Sequence, residues 1–329
     1  MGEPRRHDRI RRLLARGESV VPWLALVGGA VGLGLLFRTQ GDALGSIGWE
    51  TVALSAPAFA VAPLLQGLSF AIALRVLTQA TLPLDAMLVW SRSYVARYAP
   101  TGALALAYRL SARRRLRASV GQVLAAFSYE HVAVLAAAGV VCLLLNALAG
   151  ASLSPLSMAV AIATLVLAAA ARSRRVGRAL RVGMQRLGFS FDVMLQGRQL
   201  GAMVVVNAFG WLGTGAGVYL LVAAVTGSSP PVCWLVGLYV AGYLVGFVAP
   251  LAPGGLGVRE GALVVLLGPR YGVATAIAIS LSIRLANVIG ELLAVALVHG
   301  VYGARRVSRH SLSLSELTAR LPRRVRVGG

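Results

Sequence analysis

Lysine is absent from the 329 residues, so all 32 strong bases are arginine. Acid is scarce as well: 11 Asp and Glu leave a formal net charge of +21. Charged residues make up 13% of the chain and hydrophobic residues 57%, whereas soluble domains carry about 25% charge. That balance excludes an ordinary water-soluble fold. Cysteine is nearly missing too, and Cys142 and Cys233 each sit inside an apolar run far from the other, which argues against a disulfide framework. With four scattered histidines, no metal cluster is expected, and no cofactor. The sequence has no Ser-His-Asp set with a nucleophile elbow, no Walker loop, no His-Glu-x-x-His and no dinucleotide fingerprint after a strand, so an enzyme is not expected.

What the chain has is apolar length. Runs cover about residues 20–37, 51–74, 84–99, 119–148, 153–171, 200–226, 232–250 and 274–302. Eight stretches of about 20 residues each would cross a bilayer and consume about half the chain. The expected fold is an all-α polytopic membrane protein: a basic cytoplasmic head at 1–19, a transmembrane domain at 20–302 and an Arg-rich cytoplasmic tail at 303–329. The first run is longer than a secretory h-region and reads as an uncleaved span. The arginine excess follows from topology and acidic headgroups on the cytoplasmic side. A nucleic-acid partner is not expected, since a DNA-binding patch needs no polytopic body.

Charge bias constrains the topology further. With the head in the cytoplasm, an odd-even count puts Arg113, Arg114, Arg115 and Arg117 outside, against the positive-inside rule. The conflict disappears if residues 84–99 enter the membrane, break at Pro100-Thr101-Gly102 and return through 103–109 as a re-entrant hairpin. The same remedy applies where residues 232–250 break at Pro250, Pro253, Gly254 and Gly255 and climb back through 256–268. Two broken hairpins entering from opposite faces predict an inverted repeat, the arrangement that builds transporter sites near the midplane. Both termini are then cytoplasmic, in a cell inner membrane.

Several charges fall where lipid would be costly. Arg92 and Arg97 flank Ser93 and Tyr94 just before the first break; each either serves a site or snorkels to water. Glu130 interrupts an apolar span between Tyr129 and His131 and requires an arginine partner, as a fixed pair or as part of a substrate site. His131 reads as a packed residue. Arg284, Asn287 and Glu291, at i, i+3 and i+7, share one helix stripe, serving as an internal bridge or a gate. Gly213 and Gly217 fit close helix packing.

The strongest local pattern is residues 250–261, PLAPGGLGVREG. Its prolines and glycines stop one helix and expose backbone N–H groups at the start of the next, which favours an anion such as phosphate. Arg259 can add a planar, two-pronged contact. Glu260 either holds Arg259 or a neighbouring arginine, or titrates as a switch; the alternative is a simple Gly-rich turn with a capping ion pair.

The run at 252–261, with RYAPTG at 97–102, Glu130 in mid-span and Arg284 in the last span, resembles the flippase-like transmembrane region of lysylphosphatidylglycerol synthases over about residues 20–302. Thr101 separates a Pro and Gly that are adjacent in the family, and His131 stands where an arginine commonly follows the glutamate. The resemblance implies movement or binding of an anionic phospholipid or lipid-linked phosphate headgroup. Arg97, Gly102, Glu130, Gly254, Gly255, Arg259, Glu260 and Arg284 would contact substrate, and Arg92, Asn287 and Glu291 would gate or pair. Full-length synthases carry a soluble aminoacyl-transfer domain after the membrane part. Here a short Arg-rich tail follows instead, so lipid aminoacylation is not expected. Two alternatives stay open: a scaffold whose tail recruits a membrane-associated transferase, and an intramembrane polyprenyl-phosphate transferase.

Overall fold

In a computed structural model the described residues are 48–96, 103–148, 155–173, 195–247 and 257–320, together with Val182. The run at 20–37, the break residues 97–102 and 248–256, and most of the basic stretch 172–198 lie outside them. Among the described residues the chain is helical, without a strand. The helices are α1 (Trp49–Thr78), α2 (Pro83–Val95), α3 (Ala103–Ser111), α4 (Val120–Leu148), α5 (Pro155–Arg172), α6 (Gly197–Thr226), α7 (Val232–Phe247), α8 (Val258–Tyr271) and α9 (Val273–Arg320).

Four are long and apolar enough to cross a bilayer: α1, most of α4, α6 and the part of α9 up to Arg305. Their outward faces are apolar too, with Leu54 at 76% and Val265 of the short α8 at 72% exposure, while arginines and glutamates are buried within. Soluble proteins show the reverse, so this surface belongs in lipid. The chain is therefore a multi-pass α-helical membrane protein.

Glycines set how closely the long helices approach. Along α6, a Cβ on Gly213 would lie 2.9 Å from Val61, and one on Gly217 2.6 Å from the Phe59 ring, both on α1. These contacts run α1 and α6 antiparallel, an intimacy that small residues permit. Gly290 of α9 sits against Ala56 and Phe59 from another side. Two clusters form the interior, one around Phe59, Tyr239 and Leu244, the other around Phe70, Trp90 and Met203.

The short helices come in pairs that return to the end of the bundle they started from. At the α1 C-terminus, Thr81 Oγ1 donates to Leu116 O at 2.5 Å and Arg115 pairs with Asp85 at 3.3 Å, so the segment holding α2 and α3 leaves and comes back at one place. At the opposite end, Arg270 of α8 lies 5.0 Å over the Trp234 ring of α7. Gly246 and Gly242 of α7 face Arg259 and Leu263 of α8, an antiparallel register. The described parts of α7 and α8 have 16 and 14 residues.

Sequence reading ended the last span at residue 302; the apolar part of α9 ends near it, at Arg305, and the helix itself continues to Arg320. No Gly or Pro occurs between residues 304 and 320, and Pro322 comes only beyond them, so nothing local stops the helix.

Candidate functional site

Glu130 is fully buried at 0% exposure in the middle of α4, and the partner it requires is Arg109, 2% exposed at the end of α3. Arg109 Nη1 donates to Glu130 Oε2 in a close contact, and Arg109 Nη2 reaches Oε1 at 3.5 Å. The other carboxylate bonds come from Trp90 Nε1 at 2.8 Å and Gln66 Nε2 at 2.9 Å, both to Oε1. Arg109 Nε donates to Ser93 Oγ at 2.8 Å, and the guanidinium lies between Phe70 and Phe127, 4.4 and 5.0 Å from their ring centres. Such a pair survives burial because each guanidinium nitrogen and both carboxylate oxygens have a hydrogen-bond partner. It ties α1, α2, α3 and α4 together.

Beside it opens a small cavity of about 50 Å³ between α1, α2, α4, α6, α7, α8 and α9. Its wall combines Gln66, Asn207, Asn287, Glu291 and Arg259 with Trp211 and the tyrosines 94, 239 and 243. Gln66 therefore links the cavity to the Arg109–Glu130 pair.

Arg259 stands at the second position of α8, on the inward face continued by Leu263 and Leu267. Gly257, at φ +81°, begins the helix in a conformation open to glycine, and its N–H donates to Glu260 Oε2 at 2.8 Å, capping the first turn. The Arg259 side chain is 6% exposed; Nη2 donates to Tyr239 Oη, and the guanidinium lies 4.7 and 5.5 Å over the rings of Tyr239 and Tyr243. Among the described residues no carboxylate comes within 4.0 Å of it. A guanidinium carries five N–H donors; one goes to Tyr239, and Arg259 is among the residues that line the cavity.

Glu260 points to a different arginine: its Oε1 lies 3.6 Å from Arg284 Nε. One glutamate thus caps α8 and binds α9. On α9, Asn287 Nδ2 donates to Glu291 Oε1 in a close contact, and both residues line the cavity. The predicted stripe of Arg284, Asn287 and Glu291 is accordingly an inward face, buried along its length.

The structure brings Arg259, Asn287 and Glu291 onto one cavity wall, with Glu260 and Arg284 directly behind and Glu130 one hydrogen bond away through Gln66. Arg92 is elsewhere: its side chain is exposed and Nε donates to His299 Nε2 at 3.4 Å, as a snorkelling arginine would. His131 stacks on Phe127 and bonds Phe127 O at 2.8 Å. Arg97, Gly102, Gly254 and Gly255 lie outside the described residues. Sequence reading missed Arg109, which closed an apolar run and passed for its boundary. It also missed Gln66 and Asn207, whose only signal was an amide in the middle of a long apolar span.

Compared with protein-family models and with curated proteins, the sequence matches none.

Proposed function

We propose that the cavity binds the phosphate of an anionic lipid or lipid-linked headgroup, and that the protein moves this headgroup between leaflets while the acyl chains stay in the bilayer. The observation that carries the reading is Arg259: a buried guanidinium with one hydrogen-bonded neighbour and two tyrosine faces, on the wall of a polar cavity. Guanidinium geometry matches two phosphate oxygens at once. A charge kept in this setting is costly, and intramembrane charges mark substrate paths by default.

Two further observations support it. The segments with α2–α3 and α7–α8 each return to their starting end, from opposite ends of the bundle. That agrees with re-entrant hairpins of an inverted repeat meeting at a midplane site. The end carrying Arg113, Arg114, Arg115 and Arg117 would face the cytoplasm by the positive-inside rule. The resemblance to the flippase-like region of lysylphosphatidylglycerol synthases motivates the lipid. No bond is made or broken in this reading.

The test is a leaflet-resolved assay of a fluorescent phosphatidylglycerol in proteoliposomes. Arg259→Ala should slow translocation at least about tenfold, the cost of losing a charged hydrogen bond in low dielectric. An unchanged rate in that variant, with the protein folded, removes the cavity from the mechanism.

A further inference from the structure

The connection from α3 to α4 holds four arginines, and the fold divides them. Arg115 is turned to the protein: its Nη2 donates to Tyr302 Oη at 2.5 Å and to Asp85 Oδ1 at 3.3 Å, which ties the connection to α9 and α2. Arg113, Arg114 and Arg117 are exposed, and among the described residues no hydrogen bond, ion pair or ring contact takes up their guanidinium groups. Arginines at a helix end often serve its last carbonyls. Here those carbonyls are already taken: Leu116 N donates to Ala112 O at 3.2 Å, Ala118 N to Arg113 O at 3.0 Å and Arg117 N to Arg114 O at 3.1 Å.

The backbone that carries these three arginines is pinned. Leu116 is fully buried, its carbonyl accepts from Thr81 Oγ1 at 2.5 Å, and Gln122 Nε2 of α4 donates to Leu77 O of α1 at 2.8 Å. Arg117 stands at φ +49°, a left-handed conformation that glycine adopts without strain. An arginine there costs backbone energy that no side-chain contact among the described residues offsets. Helix α4 starts at Val120, so its positive end adjoins Arg117 and adds to the pull on an anion. Depth selects the partner. Tyr302, bonded to Arg115, comes just before Arg305, where the apolar part of α9 ends. The arginines therefore stand at the edge of the hydrocarbon, level with lipid phosphates, whereas an acidic protein would meet charge farther into the water. We infer that Arg113, Arg114 and Arg117 form a site for the phosphate of an anionic phospholipid in the leaflet at this end of the bundle, separate from the cavity. A lipid held there steadies the α2–α3 segment against α1 and α9, through the bonds that Thr81, Asp85 and Tyr302 make with the same connection. The inference does not depend on what the cavity binds.

The experiment titrates the full chain, carrying Arg259→Ala to silence the cavity, in uncharged detergent micelles with short-chain phosphatidylglycerol and phosphatidylcholine, read by calorimetry. Phosphatidylglycerol should bind at least about tenfold tighter than phosphatidylcholine. An arginine near an acidic headgroup contributes about fivefold in affinity, so Arg113→Gln, Arg114→Gln and Arg117→Gln together should weaken phosphatidylglycerol about a hundredfold. The comparison variant joins Arg198→Gln and Arg305→Gln, two exposed arginines of the same end, and should stay within about twofold. Equal losses in the two variants overturn the site, because attraction would then belong to the whole basic end. Arg117→Gly separates lipid binding from folding: it should raise the thermal midpoint in phosphatidylcholine nanodiscs, since glycine suits the conformation, yet weaken phosphatidylglycerol about fivefold. A lowered midpoint in that variant would show that the fold itself uses Arg117, against the proposal. Adding phosphatidylglycerol to the nanodiscs should raise the midpoint of the native chain and leave that of the triple variant unmoved; the same rise in both overturns the steadying role. A soluble polyglutamate peptide that binds tighter than phosphatidylglycerol, and loses its affinity in the triple variant, overturns the lipid in favour of an acidic protein.

Discussion

Gly246 and Arg259 meet across the α7–α8 hairpin: a Cβ on the glycine would lie 2.9 Å from the arginine Cβ and 3.4 Å from its Cα. The bare backbone of α7 lets α8 close in, and this closure sets where the guanidinium stands on the cavity wall. Gly246→Val should push the helices apart, at a cost of about 1–3 kcal/mol for overpacking, and displace Arg259. Translocation should then fall about as far as in Arg259→Ala. Gly261→Ala, where nothing lies within 4 Å, serves as control and should translocate at the normal rate; equal behaviour of the two glycine variants contradicts the expectation.

The Arg109–Glu130 pair is a lock whose halves depend on each other. Replacing one partner with Leu leaves a buried charge without its counterion, and for Glu130 also strips Gln66 and Trp90 of their acceptor. Each single variant should lose about 3–5 kcal/mol. The double variant Arg109→Leu with Glu130→Leu should be more stable than either single one. Thermal unfolding in detergent reads the cycle, and simple additivity of the two losses would show that the charges are uncoupled.

Gly290 packs against backbone, which cannot swing aside: a Cβ there would sit 2.7 Å from Ala56 O. Gly290→Leu should therefore lower the thermal midpoint by several degrees. Gly300→Ala on the same helix, with open space around it, should leave the midpoint within a degree or two. A Leu at 290 that melts normally would mean α1 and α9 are not pressed together in the bilayer.

Arg92 was grouped by sequence with the gating charges, but its exposed side chain reaches only His299. Arg92→Ala should change stability by no more than about 0.5 kcal/mol and leave translocation intact. A large loss of transport in this variant would bring Arg92 back into the site.

Much of the helical layout was legible because its causes are local. Apolar run lengths gave α4, α6 and α7 to within a few residues. Glu130, Arg259 and Glu291 stood out because a charge inside an apolar run is conspicuous. Arg109 did not, since an arginine at the end of such a run looks like any boundary residue. Gln66 and Asn207 carry no charge, and a lone amide gives no local hint of what it faces.

The sequence alone determined that this chain belongs in lipid and roughly where α4, α6 and α7 run, for apolar length acts over a few consecutive residues. Only the tertiary structure decided the partners: Glu130 with Arg109, Glu260 with Arg284, and Arg259 with a tyrosine beside a cavity. Those choices depend on how closely glycines allow α1, α6, α7, α8 and α9 to approach, which is a property of helix surfaces meeting in space and not of residue spacing along the chain.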